Sequence, residues 1–292
     1  MNSFPFISGL SPEETLKLQE AVLLNTAAAL AEDIGPGDLT ASLLPAGLKA
    51  RARVISREAA VLCGKAWFEA CFHALDTEAV IRWQVQEGEA IQPDQLLCDI
   101  EGNARALLSA ERPALNFLQT LSGTATITRH YADAIQGTGT VVMDTRKTLP
   151  GLRLAQKYAV RAGGGANQRT GLFDGILIKE NHILAAGGIA QVLQAAFALD
   201  AGVPIQIEVE NLDELNQALA AGARLVLLDN FGLDELRQAV ALANGRAVLE
   251  ASGNITLDNI RAVAETGVQR ISVGSLTKHM RAVDLSMRVV TL

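Results

Sequence analysis

Three cysteines, Cys63, Cys71 and Cys98, are all the thiols in this 292-residue chain. The count is odd and no CxxC occurs, so a disulfide framework is excluded and buried, reduced thiols are expected. The four histidines and three cysteines show no zinc-like spacing. No uncharged apolar run reaches the ~18 residues of a membrane span. Residues 1–5 have no basic segment leading into an apolar core, so no signal peptide is read and the expected compartment is the cytoplasm. Basic charge is also short. Lys+Arg total 25 against 32 Asp+Glu, a net charge of −7 that argues against general nucleic-acid binding. Gly163-Gly164-Gly165 is not followed by Gly-Lys-Ser/Thr, which rules out a Walker loop.

What is present is the material of a globular protein, 49% hydrophobic and 20% charged, long enough for one large or two modest domains. Ser11-Pro12-Glu13-Glu14 reads as a helix start, and a second helix is expected from about Leu18 to Glu32. The loop Asp33-Ile34-Gly35-Pro36-Gly37-Asp38 follows. From Lys49 to Ile100 short strands mix with a helix at Trp67–Leu75, an α+β texture. Ala104 to about Ala134 is helical, and Pro113 suits the start of a new helix better than the interior of one, which sets Arg112 at a helix entrance.

A rhythm then begins. Short apolar runs lead in turn into Asp144, Lys179, Glu208, Asp229, Glu250 and Gly274, with helical patterns in most of the gaps. Such alternation implies parallel βαβ units, and six of them favour a barrel over an open sheet. In barrels the chemistry gathers where the strands end. Lys179, Glu208 and Asp229 would then share one mouth, although each alone could be an ordinary strand-terminal polar residue. Glu208 and Asp229 are hard oxygen ligands that suit Mg²⁺ shared with a substrate phosphate. Ala251-Ser252-Gly253-Asn254 and Ser272-Val273-Gly274-Ser275 lie in the last two βα loops, where barrels hold phosphate. Between Asp144 and His182 seven Lys/Arg meet three Asp/Glu, a basic island of +4 in an acidic chain. It suggests a focused field for a small anion. The site therefore suits a phosphorylated sugar and a small acid bearing carboxylates.

The motifs Glu111 to Phe117, Asp144 to Gly151, Lys157 to Val160, Gly163 to Arg169, Ile178 to His182, Glu208-Val209-Glu210, Leu228 to Phe231, Glu250 to Asn254 and Val273 to Thr277 occur in that order. Together they resemble the quinolinate phosphoribosyltransferase family. The resemblance implies an N-terminal α/β sandwich, residues 1–116, then an open seven-stranded α/β barrel, residues 117–281, with about 282–292 returning to the first domain. It also implies a homodimer in which one subunit's N-terminal domain closes the partner's barrel. The implied reaction joins quinolinate to phosphoribosyl pyrophosphate, giving nicotinate mononucleotide, pyrophosphate and carbon dioxide, with Mg²⁺ as cofactor.

By motif, Arg146, Arg169 and Lys179 would bind the quinolinate carboxylates, joined by Arg112 of the neighbouring subunit. Lys147 would contact the diphosphate and aid its departure. Glu208 and Asp229 would hold Mg²⁺ and the ribose. Ser252, Gly253 and Gly274, with neighbours Asn254, Val273 and Ser275, would cradle the 5′-phosphate. Thr145, Gln168 and His182 complete the expected binding set. His182 has an alternative role, satisfying loop backbone groups. The family usually reads Asn-His-Arg where this chain has Asn167-Gln168-Arg169, and Gln cannot become a cation. Weaker quinolinate binding, or compensation by Lys179 and His182, is expected. Competing readings are a non-decarboxylating nicotinate phosphoribosyltransferase, a Schiff-base aldolase using Lys179 and a non-catalytic binding paralogue.

Overall fold

The computed structural model describes residues 4–290. In chain order the main elements are α1 (Pro12–Ile34), β1 (Lys49–Ser56), β2 (Ala60–Val61), α2 (Lys65–Leu75), β3 (Val80–Trp83), β4 (Ala90–Ile91), β5 (Leu96–Asn103), α3 (Ala104–Ala134), β6 (Val141–Met143), α4 (Arg153–Ala162), β7 (Ile176–Ile178) and α5 (Glu180–Ala186). They continue as α6 (Ile189–Ala198), β8 (Ile205–Val209), α7 (Leu212–Ala220), β9 (Leu225–Asp229), α8 (Leu233–Ala243), β10 (Val248–Ser252), α9 (Ile260–Ala264), β11 (Arg270–Ser272), α10 (Ser275–Lys278) and β12 (Leu285–Val290). They form two compact units, one of residues 4–127, 149–164 and 279–290, the other of 128–148 and 165–278.

In the first unit, α1 starts as its sequence dictates. The Ser11 hydroxyl accepts from the Glu14 N–H, Glu14 reaches back to the Ser11 N–H and Pro12 occupies the first helical position. The two helices expected here are one. Pro at the first position continues into the apolar stripe of Leu18, Ala21, Val22 and Leu30 without a break until Gly35. The antiparallel sheet runs β12-β1-β5-β3, so the last strand pairs along β1. Alternate β1 residues Ala52 and Val54 face the core with Trp67, Phe68, Phe72, Leu107 and Leu118. Cys63, Cys71 and Cys98 are free and buried, as composition suggested. Burial pushes the Cys71 thiol up to about 12 and raises the other two, which makes them poor nucleophiles.

Pro113 does not start a helix. It lies inside the 31-residue α3, among buried Ala110, Ala114, Leu115 and Leu118. Burial on both sides outweighs the ~3 kcal/mol that a helix-interior proline costs. The expected domain boundary at 116/117 therefore falls within a continuous helix, and the first unit runs on to Ile127.

The second unit is an incomplete α/β barrel. Its parallel sheet has the order β6-β11-β10-β9-β8-β7, with helices in the connections. Its strands are short, apolar and largely buried, as parallel strands covered on both faces should be. Six strands are described rather than seven. The seventh position, beside β6, is a one-residue parallel bridge between Met143 and Ala166. Gly163-Gly164-Gly165 and the polar residues after it carry no apolar run to extend that bridge.

Candidate active site

The site is assembled where the barrel strands end. Past β6, the fully buried Asp144 carboxylate ties two loops together. Its Oδ1 accepts from the Gln168 N–H at 2.8 Å and its Oδ2 from the Asn167 amide at 2.6 Å. This fixes Thr145, Arg146 and Lys147 beside Gln168 and Arg169. The Lys147 N–H donates to Thr145 Oγ1 at 3.1 Å, and the Thr277 hydroxyl donates to the Lys147 carbonyl at 2.7 Å. A Cβ on Gly274 would lie 3.2 Å from Lys147 Cδ, so glycine gives the lysine stem its room.

A cavity of about 170 Å³ lies between these groups. Four cations line it: Arg146, Lys147, Arg169 and Lys179. Thr145, Gln168, Ser252 and Ser272 add polar groups, Leu177 and Leu227 an apolar patch, and Glu208 and Glu250 the carboxylates. Burial lowers the Arg169 pKa, and the charge of Arg146 lowers it further. Two guanidiniums held close enough to repel suit an anionic ligand that neutralises both. Arg169 is fixed by donating to the Gly175 carbonyl at 3.0 Å.

Lys179, just past β7, donates to both oxygens of Glu208 on β8, at 2.8 and 3.0 Å. Glu208 is nearly buried and its ammonium partner is half-exposed. Asp229 ends the neighbouring β9, where its Oδ2 accepts from the Asn230 amide at 2.8 Å. The Ser272 and Ser275 hydroxyls, at the end of β11 and the start of α10, are buried with no partner among the described residues. Orphaned donors there suit a ligand with acceptor oxygens.

The basic island divides. Arg146, Lys147, Arg169 and Lys179 meet at the cavity, whereas Arg153, Lys157 and Arg161 lie on α4 in the other unit, where Arg161 pairs with Glu14 at 2.5 Å. Linear charge density could not reveal that α4 leaves the barrel. Among the expected site residues, Thr145, Gln168, Glu208 and Ser252 also line the cavity, while Gly253 and Asn254 border a separate cleft beyond Ser252. His182 is outside the cavity lining. Its Nδ1 accepts from the Lys179 N–H at 3.0 Å, the backbone-satisfying role. Arg112 sits on α3 in the first unit, largely exposed, 4.0 Å from Glu111.

Sequence reasoning missed the floor. Glu250 has no exposed surface. It accepts from the Gln168 amide at 2.5 and 2.6 Å and from the Gln206 amide at 3.0 Å. The Gln168 amide also donates to Gln206 Oε1 at 3.2 Å. Glu250 was visible as the polar end of an apolar run. Gln206, the single polar residue inside Ile205-Gln206-Ile207, was the available signal for the other half.

An incomplete α/β barrel with a cationic, ligand-sized cavity at its strand ends defines an enzyme of small anionic substrates. Comparison with known proteins narrows this class. Family models described as the quinolinate phosphoribosyl transferase N-terminal and C-terminal domains match residues 38–122 and 124–288. A probable nicotinate-nucleotide pyrophosphorylase [carboxylating] of Bacillus subtilis is 40% identical, covering 88% of this chain and 90% of the relative. The Mycobacterium leprae nicotinate-nucleotide pyrophosphorylase [carboxylating] is 39% identical, covering 89% and 94%. The solved nicotinate-nucleotide pyrophosphorylase of Francisella tularensis superposes with a TM-score of 0.90 at 47% identity, covering 93% of this chain and 97% of that one. The chain belongs to the quinolinate phosphoribosyltransferase family.

Proposed function

We propose that this protein transfers the phosphoribosyl group of phosphoribosyl pyrophosphate to the ring nitrogen of quinolinate, with loss of one carboxylate. The products are nicotinate mononucleotide, pyrophosphate and carbon dioxide. The observation that carries the proposal is the convergence of Arg146, Lys147, Arg169 and Lys179 on one cavity that also offers Leu177 and Leu227. A flat ring with two carboxylates matches that combination of cationic forks and apolar contact.

In this reading, Arg146 and Arg169 orient the dicarboxylate and Lys147 faces the diphosphate. The ring nitrogen attacks the anomeric carbon, the bond to the diphosphate oxygen breaks and pyrophosphate leaves with the electron pair. Asp229 and Glu208 offset the positive charge that develops on the sugar. The alkylated nitrogen is then cationic. Breaking the adjacent carbon–carboxylate bond leaves its electron pair beside that charge, and solvent supplies the proton. The protein's part in this second step is to orient the carboxylate so that its bond breaks in line with the ring's electron sink. Ser252, Ser272, Gly274 and Ser275 would receive the 5′-phosphate, where two hydroxyls have no other partner among the described residues.

Magnesium fits the donor set in part. Glu208 lies near the end of β8 and Asp229 at the end of the neighbouring β9, two residues beyond Leu227, the register partner of Glu208, but the described residues contain no group of three or more His, Cys, Asp or Glu suited to a metal. Two carboxylates suffice only if the diphosphate and waters complete the shell, which is the usual habit of Mg²⁺. Glu208 is already engaged by Lys179, so Asp229 would be the principal protein ligand. The ion would neutralise charge on the departing diphosphate.

The test is product formation from quinolinate and phosphoribosyl pyrophosphate, with Mg²⁺ or with EDTA, beside a parallel nicotinate assay. Metal-dependent nicotinate mononucleotide from quinolinate alone is expected. Product from nicotinate alone would identify a non-decarboxylating transferase, and product from neither would leave a binding protein.

A further inference from the structure

We propose that Asn230 is a positioning residue: its side-chain amide locks the Asp229 carboxylate to the Ser252–Asn254 turn, so that the groups facing the two ends of the phosphoribosyl unit are held as one body. The inference rests on the function proposed above, which places the sugar at Asp229 and its phosphate near that turn.

Both ends of this amide are used. Nδ2 donates to Asp229 Oδ2 at 2.8 Å, and Oδ1 accepts from the Asn254 amide at 3.2 Å. The Asn230 backbone N–H donates to the Ser252 carbonyl at 2.9 Å, continuing the β9–β10 ladder, in which Asp229 and Ser252 are paired. Asn230 holds φ at +58° and Asn254 at +51°, the left-handed region that non-glycine residues seldom enter. Asparagine tolerates that conformation better than most residues. A turn alone would need no more than this. Here the side chain also crosses to the next loop and grips a carboxylate.

Gly253 supplies an independent observation. A Cβ at that position would lie 2.1 Å from Asn230 Oδ1 and 3.1 Å from its backbone nitrogen. The glycine is thus the space into which the Asn230 amide fits. The lock continues outward, since Asn259 Nδ2 donates to the Asn254 carbonyl at 2.9 Å and Asn259 Oδ1 accepts from the Thr256 N–H at 2.9 Å. Leucine at 230 could make neither bond, and aspartate would set a second carboxylate against Asp229.

The experiment compares steady-state kinetics and melting temperature for wild type, Asn230→Gly and Asn230→Asp. Glycine keeps the left-handed backbone and removes both amide bonds. We expect Asn230→Gly to lower kcat about tenfold or more and to raise KM for phosphoribosyl pyrophosphate about fivefold, with KM for quinolinate changed by less than about twofold. A folding defect would not separate the two substrates in this way. Gly253→Ala should lower the melting temperature less in the Asn230→Gly background than in wild type, because the clash with the Asn230 side-chain amide is gone while the contact with its backbone nitrogen is common to both. Wild-type kinetics in a folded Asn230→Gly overturn the proposal, as do equal changes in both KM values. If Asn230→Gly does not fold, Asn230→Asp must show the same substrate split, and its wild-type behaviour would overturn the proposal equally. A wild-type enzyme that forms no nicotinate mononucleotide overturns the proposed function and this inference with it.

Discussion

At the scale of single residues, Gln168 is anchored rather than loose. Gln168 is fixed from below by the fully buried carboxylate of Glu250 and shares it with Gln206. Neither the Gln168 nor the Gln206 amide can take up a proton as pH falls. Gln168→His would place an imidazole against Glu250, and a neighbouring carboxylate favours the imidazolium. We expect KM for quinolinate in that variant to fall about threefold or more from pH 8 to pH 6, where the ring gains its charge, while the wild-type value changes little. Parallel pH profiles for the two proteins would defeat this account. The residues of the mouth were legible in sequence because Arg146, Lys147, Arg169 and Lys179 stand in recognisable runs. Gln206 was not, because a polar residue facing the barrel interior looks like any interruption of an apolar strand.

A second residue-scale prediction concerns Tyr158, which looks like packing and is partly so, stacked edge-on with Phe6. Its hydroxyl donates to Glu87 at 3.0 Å and accepts from the Ile7 N–H at 3.0 Å. Burial raises the Glu87 pKa, and the N–H groups of Gly64 and Lys65 and the Tyr158 hydroxyl pull it back. Tyr158→Phe removes one of those donors, so the folded-state pKa rises further. A carboxyl raised on folding favours the folded state most when protonated and loses that advantage as pH climbs from its ordinary value near 4.5. The variant should lose about 1–2 kcal/mol at neutral pH, and its deficit against wild type should widen from pH 5 to pH 8. Urea unfolding at both values checks this, and a constant deficit would show that Glu87 does not feel the hydroxyl.

At the scale of elements, α3 shows what periodicity can and cannot resolve. Its extent was plain from residues 104 to 134, but its continuity through Pro113 depends on burial that a helical pattern alone does not reveal. The barrel strands were legible as apolar runs ending in polar residues. The bridge at Ala166 was not, since a single residue has no period. The same helix carries a testable contact. A Cβ on Gly123 would lie 2.2 Å from the Arg281 carbonyl oxygen, and the neighbouring Val283 N–H donates to the Gln119 carbonyl at 3.1 Å. In an exposed helix, Gly→Ala stabilises by about 1 kcal/mol. Here the sign should reverse, because alanine would push the chain off α3 just before β12. A loss of about 1–3 kcal/mol is expected, read as a lower melting temperature. A gain in stability would mean that the segment yields at no cost.

At the scale of the whole molecule, the four cations, the two carboxylates and the orphaned hydroxyls all belong to the barrel unit, whereas Arg112 belongs to the other unit and is largely exposed. An arginine whose one ion pair among the described residues is with Glu111 at 4.0 Å is poorly explained by its own fold. The homodimer that the family resemblance implies would explain it, with Arg112 of one subunit completing the quinolinate site of the other. Mixing two damaged proteins tests this directly. Arg112→Ala lacks the donated group and Lys147→Ala lacks the resident one, so each alone should be nearly inactive. If the site is shared, a mixed dimer has one site missing both residues and one site intact. An equal mixture after random exchange of subunits should regain about one quarter of wild-type activity, since half of the dimers are mixed and each of these has one working site. Were Arg112 to act within its own chain, every site in the mixture would lack one residue, and no activity would return however completely the subunits exchanged.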